Sequence, residues 1–134
     1  MMWEIGSLMY QLIYLSDARS GLTPSALQQI VERSRQRNRT ANVTGVAVMH
    51  GGVVMQLLEG PEAAVRATYA RIARDHRHGN IAIMLTRRCR TRSFPAHPMA
   101  FHHVDEDNRS SVQMTMNMLR ARHAMRMRAV NIAS

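Results

Sequence analysis

Apolar positions along this chain recur with two different periods. Leu12-Ile13-Tyr14-Leu15 is short and apolar, and Ser16-Asp17 leads from it into a loop containing Gly21, which predicts an opening strand. At a period of two, Leu12, Tyr14 and Ser16 share one face and Ile13 and Leu15 the other. The period then lengthens. Leu27, Ile30, Val31 and Ser34 fall on one helical stripe, with charged residues opposite up to about Arg37. Thr23 suits the N-cap of that helix and Pro24 its first position, where a missing N–H breaks no bond. Asn38 ends the helix or lies in its last turn. Two strands, 43–49 and 53–59, flank His50-Gly51-Gly52, a hairpin turn because paired glycines accept positive φ. A second helix starts at Gly60-Pro61-Glu62, carries Val65, Tyr69 and Ile72 on its stripe and ends near Asp75. Residues 81–86 predict a fourth strand, and residues 99–104 a fifth, after the breaks at Pro95 and Pro98.

The order β-α-β-β-α-β plus one strand predicts an α+β, ferredoxin-like sandwich over residues 1–104, with two helices on one face of a mixed sheet. Residues 105–134 differ. Asp105-Glu106-Asp107-Asn108 is a hydrophilic linker, and Ser110 or Ser111 can cap a C-terminal amphipathic helix with Met114, Met118, Ala121 and Met125 on one face. That stripe is expected to pack on the open face of the sheet; a partner-binding helix is the alternative, since methionine adapts to varied surfaces.

Composition narrows the function. The chain has 134 residues, a one-domain length. Net charge is +9, and all 18 basic residues are arginine. Excess arginine raises the possibility of a nucleic-acid partner. The arginines are dispersed, however, and no aromatic ladder interleaves with them, so that partner is not favoured. One cysteine, Cys89, excludes an intrachain disulfide and points to a reducing, cytoplasmic setting. No apolar run approaches the ~20 residues that span a bilayer, so no membrane association is expected. The N-terminal segment has neither a basic leader nor a small-residue cleavage site. Paired carboxylates, a nucleophile with its base and a phosphate loop are all missing, and the histidines have no metal-ligand spacing. A non-enzyme is expected.

One residue stands out within the apolar segments. Gln56 interrupts an apolar strand on the side of Val54 and Leu58, where an unpaired amide costs about 1–3 kcal/mol. An amide donates through nitrogen and accepts through oxygen, so a turn of its plane exchanges its hydrogen bonds. Taken singly, Tyr14 and Met99 could be core residues, Asn38 a helix terminator, and Arg71 and Asp75 a surface pair at i,i+4.

Taken in order, the segments LIYLSDA, RQRNRTANVTGVAV, VVMQLLEGPEAAV, RIARDHRHGN and RSFPAHPMAF resemble the BLUF family of blue-light sensors using FAD, from about residue 10 to 102. The resemblance implies the same β-α-β-β-α-β fold, with the flavin ring held between the two helices and the sheet. It implies an electron-donating role for Tyr14, hydrogen bonding of the flavin C4 carbonyl and N3 edge by Asn38, and a switching role for Gln56. Met99 corresponds to a methionine of the fifth strand near that glutamine. Arg71 and Asp75, on the second helix, correspond to positions near the pyrimidine edge and the ribityl start. Arg77 and His78 correspond to the Arg-His after that helix. Arg37 stands where the family often has His or Asn against the ring, and a guanidinium plane can stack there. Two further positions depart from the pattern. His97 replaces a common tryptophan and Leu15 a common polar residue. The function implied is a short photoreceptor that binds FAD and passes its signal to a protein partner or through homo-oligomerisation. The alternatives are a flavin-free interaction domain of the same fold and a basic nucleic-acid-binding domain.

Overall fold

The computed structural model describes residues 8–19 and 21–104. The elements are β1 (Met9–Ala18), α1 (Pro24–Ala41), β2 (Thr44–His50), β3 (Val53–Gly60), α2 (Glu62–Ala73), β4 (His78–Cys89) and β5 (Ala100–His103). The five strands form one sheet in the order β4-β1-β3-β2-β5. All neighbours are antiparallel except β2 and β5, which are parallel. This is the expected ferredoxin-like order with a fifth strand added at the β2 edge.

Period two sorts the side chains onto two faces. On one face Tyr10, Leu12, Tyr14, Ala47, Met49, Val54 and Leu58 pack with Leu27 and Val31 of α1 and Val65 of α2. On the other, Ile13, Val46, Val48, Met55, Leu57 and Leu85 cluster, with Phe94, Ala100 and Val104 against them. Each buried aliphatic side chain contributes about 1.5–3 kcal/mol. The central strands therefore account for much of the driving force.

Local chemistry explains the ends. Thr23 Oγ1 accepts from the Ala26 N–H, and Pro24 opens α1. Gly51 and Gly52 both take positive φ in the β2–β3 turn. Of the two positions expected for Asn38, the structure takes the second: α1 runs to Ala41 and closes on Asn42 in the left-handed region, which places Asn38 in the last turn. Several boundaries differ from expectation. α2 starts after Pro61 and ends at Ala73, so Asp75 lies in the following turn and not on the helix. β1 and β4 are longer than the apolar runs because they pair along their whole length, from Met9↔Cys89 to Ala18↔His78. β4 is an edge strand with Ile83 and Met84 exposed, which blurs its sequence pattern. Met99 directly precedes β5. The expected helix in 105–134 lies outside the described residues. No helix among the described residues is long and apolar enough to cross a membrane.

Candidate functional site

The helices and the sheet enclose a cavity of about 300 Å³. Tyr14 of β1, Ala47 of β2 and Gln56 of β3 form its floor. Leu27, Ile30, Val31, Ser34, Arg37 and Asn38 line it from α1, and Thr68, Arg71 and Ile72 from α2. Asp75 and Arg77 of the α2–β4 connection and His78 at the start of β4 complete it. Eight of the residues singled out in the sequence thus converge on one cavity. The ninth, Met99, reaches it through Gln56.

The floor is a hydrogen-bonded chain. The Tyr14 hydroxyl donates to Gln56 Oε1, and Gln56 Nε2 donates to Met99 Sδ at 3.2 Å. Register makes this possible, since Tyr14 and Gln56 are direct cross-strand partners. Gly45, beside them on β2, cannot carry a side chain: a Cβ there would sit 1.9 Å from the Leu57 carbonyl oxygen, whereas Met99 Cε, at 3.4 Å, would be in ordinary contact with it. The Tyr14 ring is held edge-on against Tyr69 and His78, at centroid distances of 5.7 and 6.4 Å. Burial, and then the Tyr69 and Asp75 charges, push the Tyr14 pKa far above its ordinary value. The phenol therefore stays protonated and keeps its donor.

The α1 wall carries an unanswered acceptor. Asn38 is only 2% exposed. Its Nδ2 donates to the Pro98 carbonyl at 2.7 Å and to Ser34 Oγ at 3.3 Å. Its Oδ1 is buried and has no partner among the described residues. Such an atom costs about 1–3 kcal/mol unless a donor meets it.

The α2 wall is cationic. Burial lowers the Arg71 pKa, and the neighbouring charges of Arg37 and Arg74 lower it further. The alternative reading of Arg71 and Asp75 as an i,i+4 surface pair does not hold, and both line the cavity. Asp75 is instead held by Arg77, whose Nε lies 2.9 Å from Oδ1. Hydrogen bonding from the Arg77 side chain, despite some burial, keeps the Asp75 carboxyl well below the usual carboxylate range. His78 opens β4, and its Nδ1 lies 2.9 Å from Ser16 Oγ. Burial lowers the His78 pKa, and this outweighs the opposite pull of Asp75. His97 is exposed and contributes its carbonyl, which accepts from the Gly45 N–H at 3.1 Å.

Sequence reasoning left out Ser16, Thr68 and Glu59. A signal for Glu59 was present: like Gln56, it is a polar residue in an apolar strand.

Comparison with known proteins bears on this arrangement. A family model described as "BLUF: Sensors of blue-light using FAD" matches residues 9–100. The blue light- and temperature-regulated antirepressor BluF of Escherichia coli (strain K12) is 38% identical over 74 residues, 55% of this chain and 18% of that protein. The photoactivated adenylate cyclase subunit alpha-like protein FB of Euglena gracilis is 36% identical over 70 residues, 52% of this chain and 7% of that one. Among solved structures, the dark state of BlrB, described as a BLUF protein, is 27% identical with a TM-score of 0.70 and covers 76% of this chain and 77% of that one. A bacterial light-regulated adenylyl cyclase is 28% identical with a TM-score of 0.73, covering 92% of this chain and 36% of that one. The chain matches less than a fifth of the length of these two curated relatives.

Proposed function

The chain belongs to the BLUF family, sensors of blue light using FAD, and from that premise we propose that its own switch is the Tyr14–Gln56–Met99 chain. The carrying observation is that this chain of hydrogen bonds forms the floor of the cavity.

The residues present fit a flavin. The cavity volume lies at the lower end for small-molecule sites, ~300–1,000 Å³, which suits the fused ring more than the whole dinucleotide. Asn38 Oδ1 supplies the buried acceptor that an imide N–H requires. Arg37 and Arg71 supply cationic groups for carbonyl or phosphate oxygens, with Asp75, Arg77 and His78 at the same rim. When bound, the flavin supplies blue-light absorption and an electron-accepting ring.

The chain's residues do the rest. Tyr14 holds a proton on its hydroxyl and is placed to give up an electron and that proton together. Gln56 keeps one N–H and one oxygen lone pair beyond those used by Met99 and Tyr14. A half-turn of its amide would bring Nε2 to the Tyr14 oxygen and remove the donor from Met99 Sδ. Two hydrogen-bond patterns are then available with no backbone movement. On this proposal the protein senses and does not catalyse. Its output passes to a protein partner or a second copy.

The deciding experiment is an absorption spectrum of the FAD-reconstituted protein before and after blue light. A reversible red shift is expected. A protein that takes up no flavin, or whose bound flavin shows no shift, overturns the proposal.

A further inference from the structure

Glu59 is the only acidic residue of β3 and is fully buried, at 0% exposure. It stands three residues after Gln56, so the pleat turns it to the opposite face of the sheet. Its Oε2 accepts from Gln11 Nε2 and the Ser93 N–H, both at 2.8 Å. Its Oε1 accepts from the Phe94 N–H at 2.7 Å and from Thr44 Oγ1 at 3.2 Å. All four neighbours donate, which an ionised carboxylate can satisfy in full and a neutral amide cannot. Two guanidiniums stand one hydrogen bond further out. Arg87 Nε donates to Gln11 Oε1, which turns the Gln11 amide so that its nitrogen faces Glu59. Arg92 Nη1 donates to Thr44 Oγ1, which leaves the hydroxyl proton for Glu59.

The two backbone donors belong to the connection that carries the chain from β4, at one edge of the sheet, to β5 at the other. Beyond Glu59 the same connection is held at the His97 carbonyl by the Gly45 N–H, at the Pro98 carbonyl by Asn38, and at the Met99 carbonyl by Arg35 Nε at 3.1 Å. It ends with Met99 Sδ against Gln56. β3 therefore grips one connection from both of its faces, through Glu59 on one and Gln56 on the other. We infer that Glu59 is a positioning residue for the switch: by fixing Ser93 and Phe94 it sets where the Met99 sulfur meets the Gln56 amide. The inference rests on the reading of Gln56 as the switching residue.

The test uses the full chain loaded with FAD and labelled with [methyl-13C]methionine, with the Met99 signal assigned by its loss in Met99→Leu. In Glu59→Gln the single amide oxygen leaves at least one of the Ser93 and Phe94 N–H groups unpaired. The dark-state Met99 methyl signal should then move, and dark recovery should change several-fold, with flavin still bound. Thr44→Val removes one of the four donors and should move the same signal in the same direction by less. If Glu59→Gln does not fold, Thr44→Val alone decides. A Met99 signal and recovery rate at wild-type values in the folded variant overturn the inference. Failure of the underlying reading shows separately, as a wild-type protein with no light response. The dark Met99 signal then still decides whether Glu59 positions that side chain.

Discussion

Tyr14 and Gln56 are 42 residues apart in the chain and directly opposite each other on adjacent strands, with the phenol donating to the amide oxygen. The phenol is neutral and protonated at working pH, and burial pushes its pKa further above the ordinary value. That proton is what holds the amide in one orientation, with its nitrogen toward Met99.

Removing the phenol oxygen tests this link. Tyr14→Phe should keep the ring packing and the flavin but lose the normal light-induced red shift. Leaving Gln56 Oε1 without its donor should also lower stability by about 1–3 kcal/mol, read from the denaturant midpoint. A Tyr14→Phe protein with a normal, recoverable shift would remove Tyr14 from the switch.

Asn38→Ala removes the unanswered acceptor together with the anchor of the Pro98 carbonyl. Flavin affinity should fall by roughly tenfold, the equivalent of one buried hydrogen bond near 1.4 kcal/mol. Fluorescence titration of the apoprotein measures it. An unchanged affinity would place the flavin away from α1.

Arg37 and Arg71 repel each other across the cavity in the absence of an anion. Arg37→Gln should therefore leave apoprotein stability unchanged or slightly raised. Flavin affinity should drop by roughly two- to fivefold, since an exposed charge contributes less than ~1 kcal/mol. Its salt dependence should flatten, because salt screens such charges. Titrations at low and high NaCl check both effects.

His78 gives a pH dependence whose sign follows from its environment. Its pKa is lower folded than unfolded, so the fold favours the neutral ring. That contribution is fully present above the unfolded value of about 6.5 and is lost as pH falls through the lower, folded value. Asp75 acts in a separate and more acidic window, because its carboxyl is held below the usual carboxylate range. Urea midpoints of the wild type should decline below pH 6.5, and His78→Gln should flatten that decline. Parallel curves would mean that His78 does not control it.

Every described residue of the cavity lies between Tyr14 and His78, with Met99 beyond. A chain ending at residue 104 should therefore keep its flavin and its red shift. If residues 108–129 cover the sheet face that carries Ile13, Val48 and Leu57, the shortened chain should melt lower or aggregate. Thermal melts and size-exclusion chromatography of the two lengths decide. Equal stability and equal oligomeric state would show that this segment does not cover the sheet.

The sequence by itself determined which face each strand residue takes and where most turns fall. Alternation put Tyr14 with Leu12, and Gln56 with Val54 and Leu58. Thr23-Pro24 started α1, and Gly51-Gly52 joined β2 to β3. These are outcomes of neighbouring residues, because pleat, cap and turn act over a few positions. Pairing register across β1 and β3 is not local, and only the packed sheet decided that Tyr14 meets Gln56 and not Val54. The same holds for Asp75, which chose Arg77 over Arg71 once α2 stopped at Ala73. It holds most for Glu59, whose donors Ser93 and Phe94 arrive from 34 and 35 residues away. A buried carboxylate announces in the sequence that it needs partners; which ones it finds depends on the path of a connection that crosses the whole sheet.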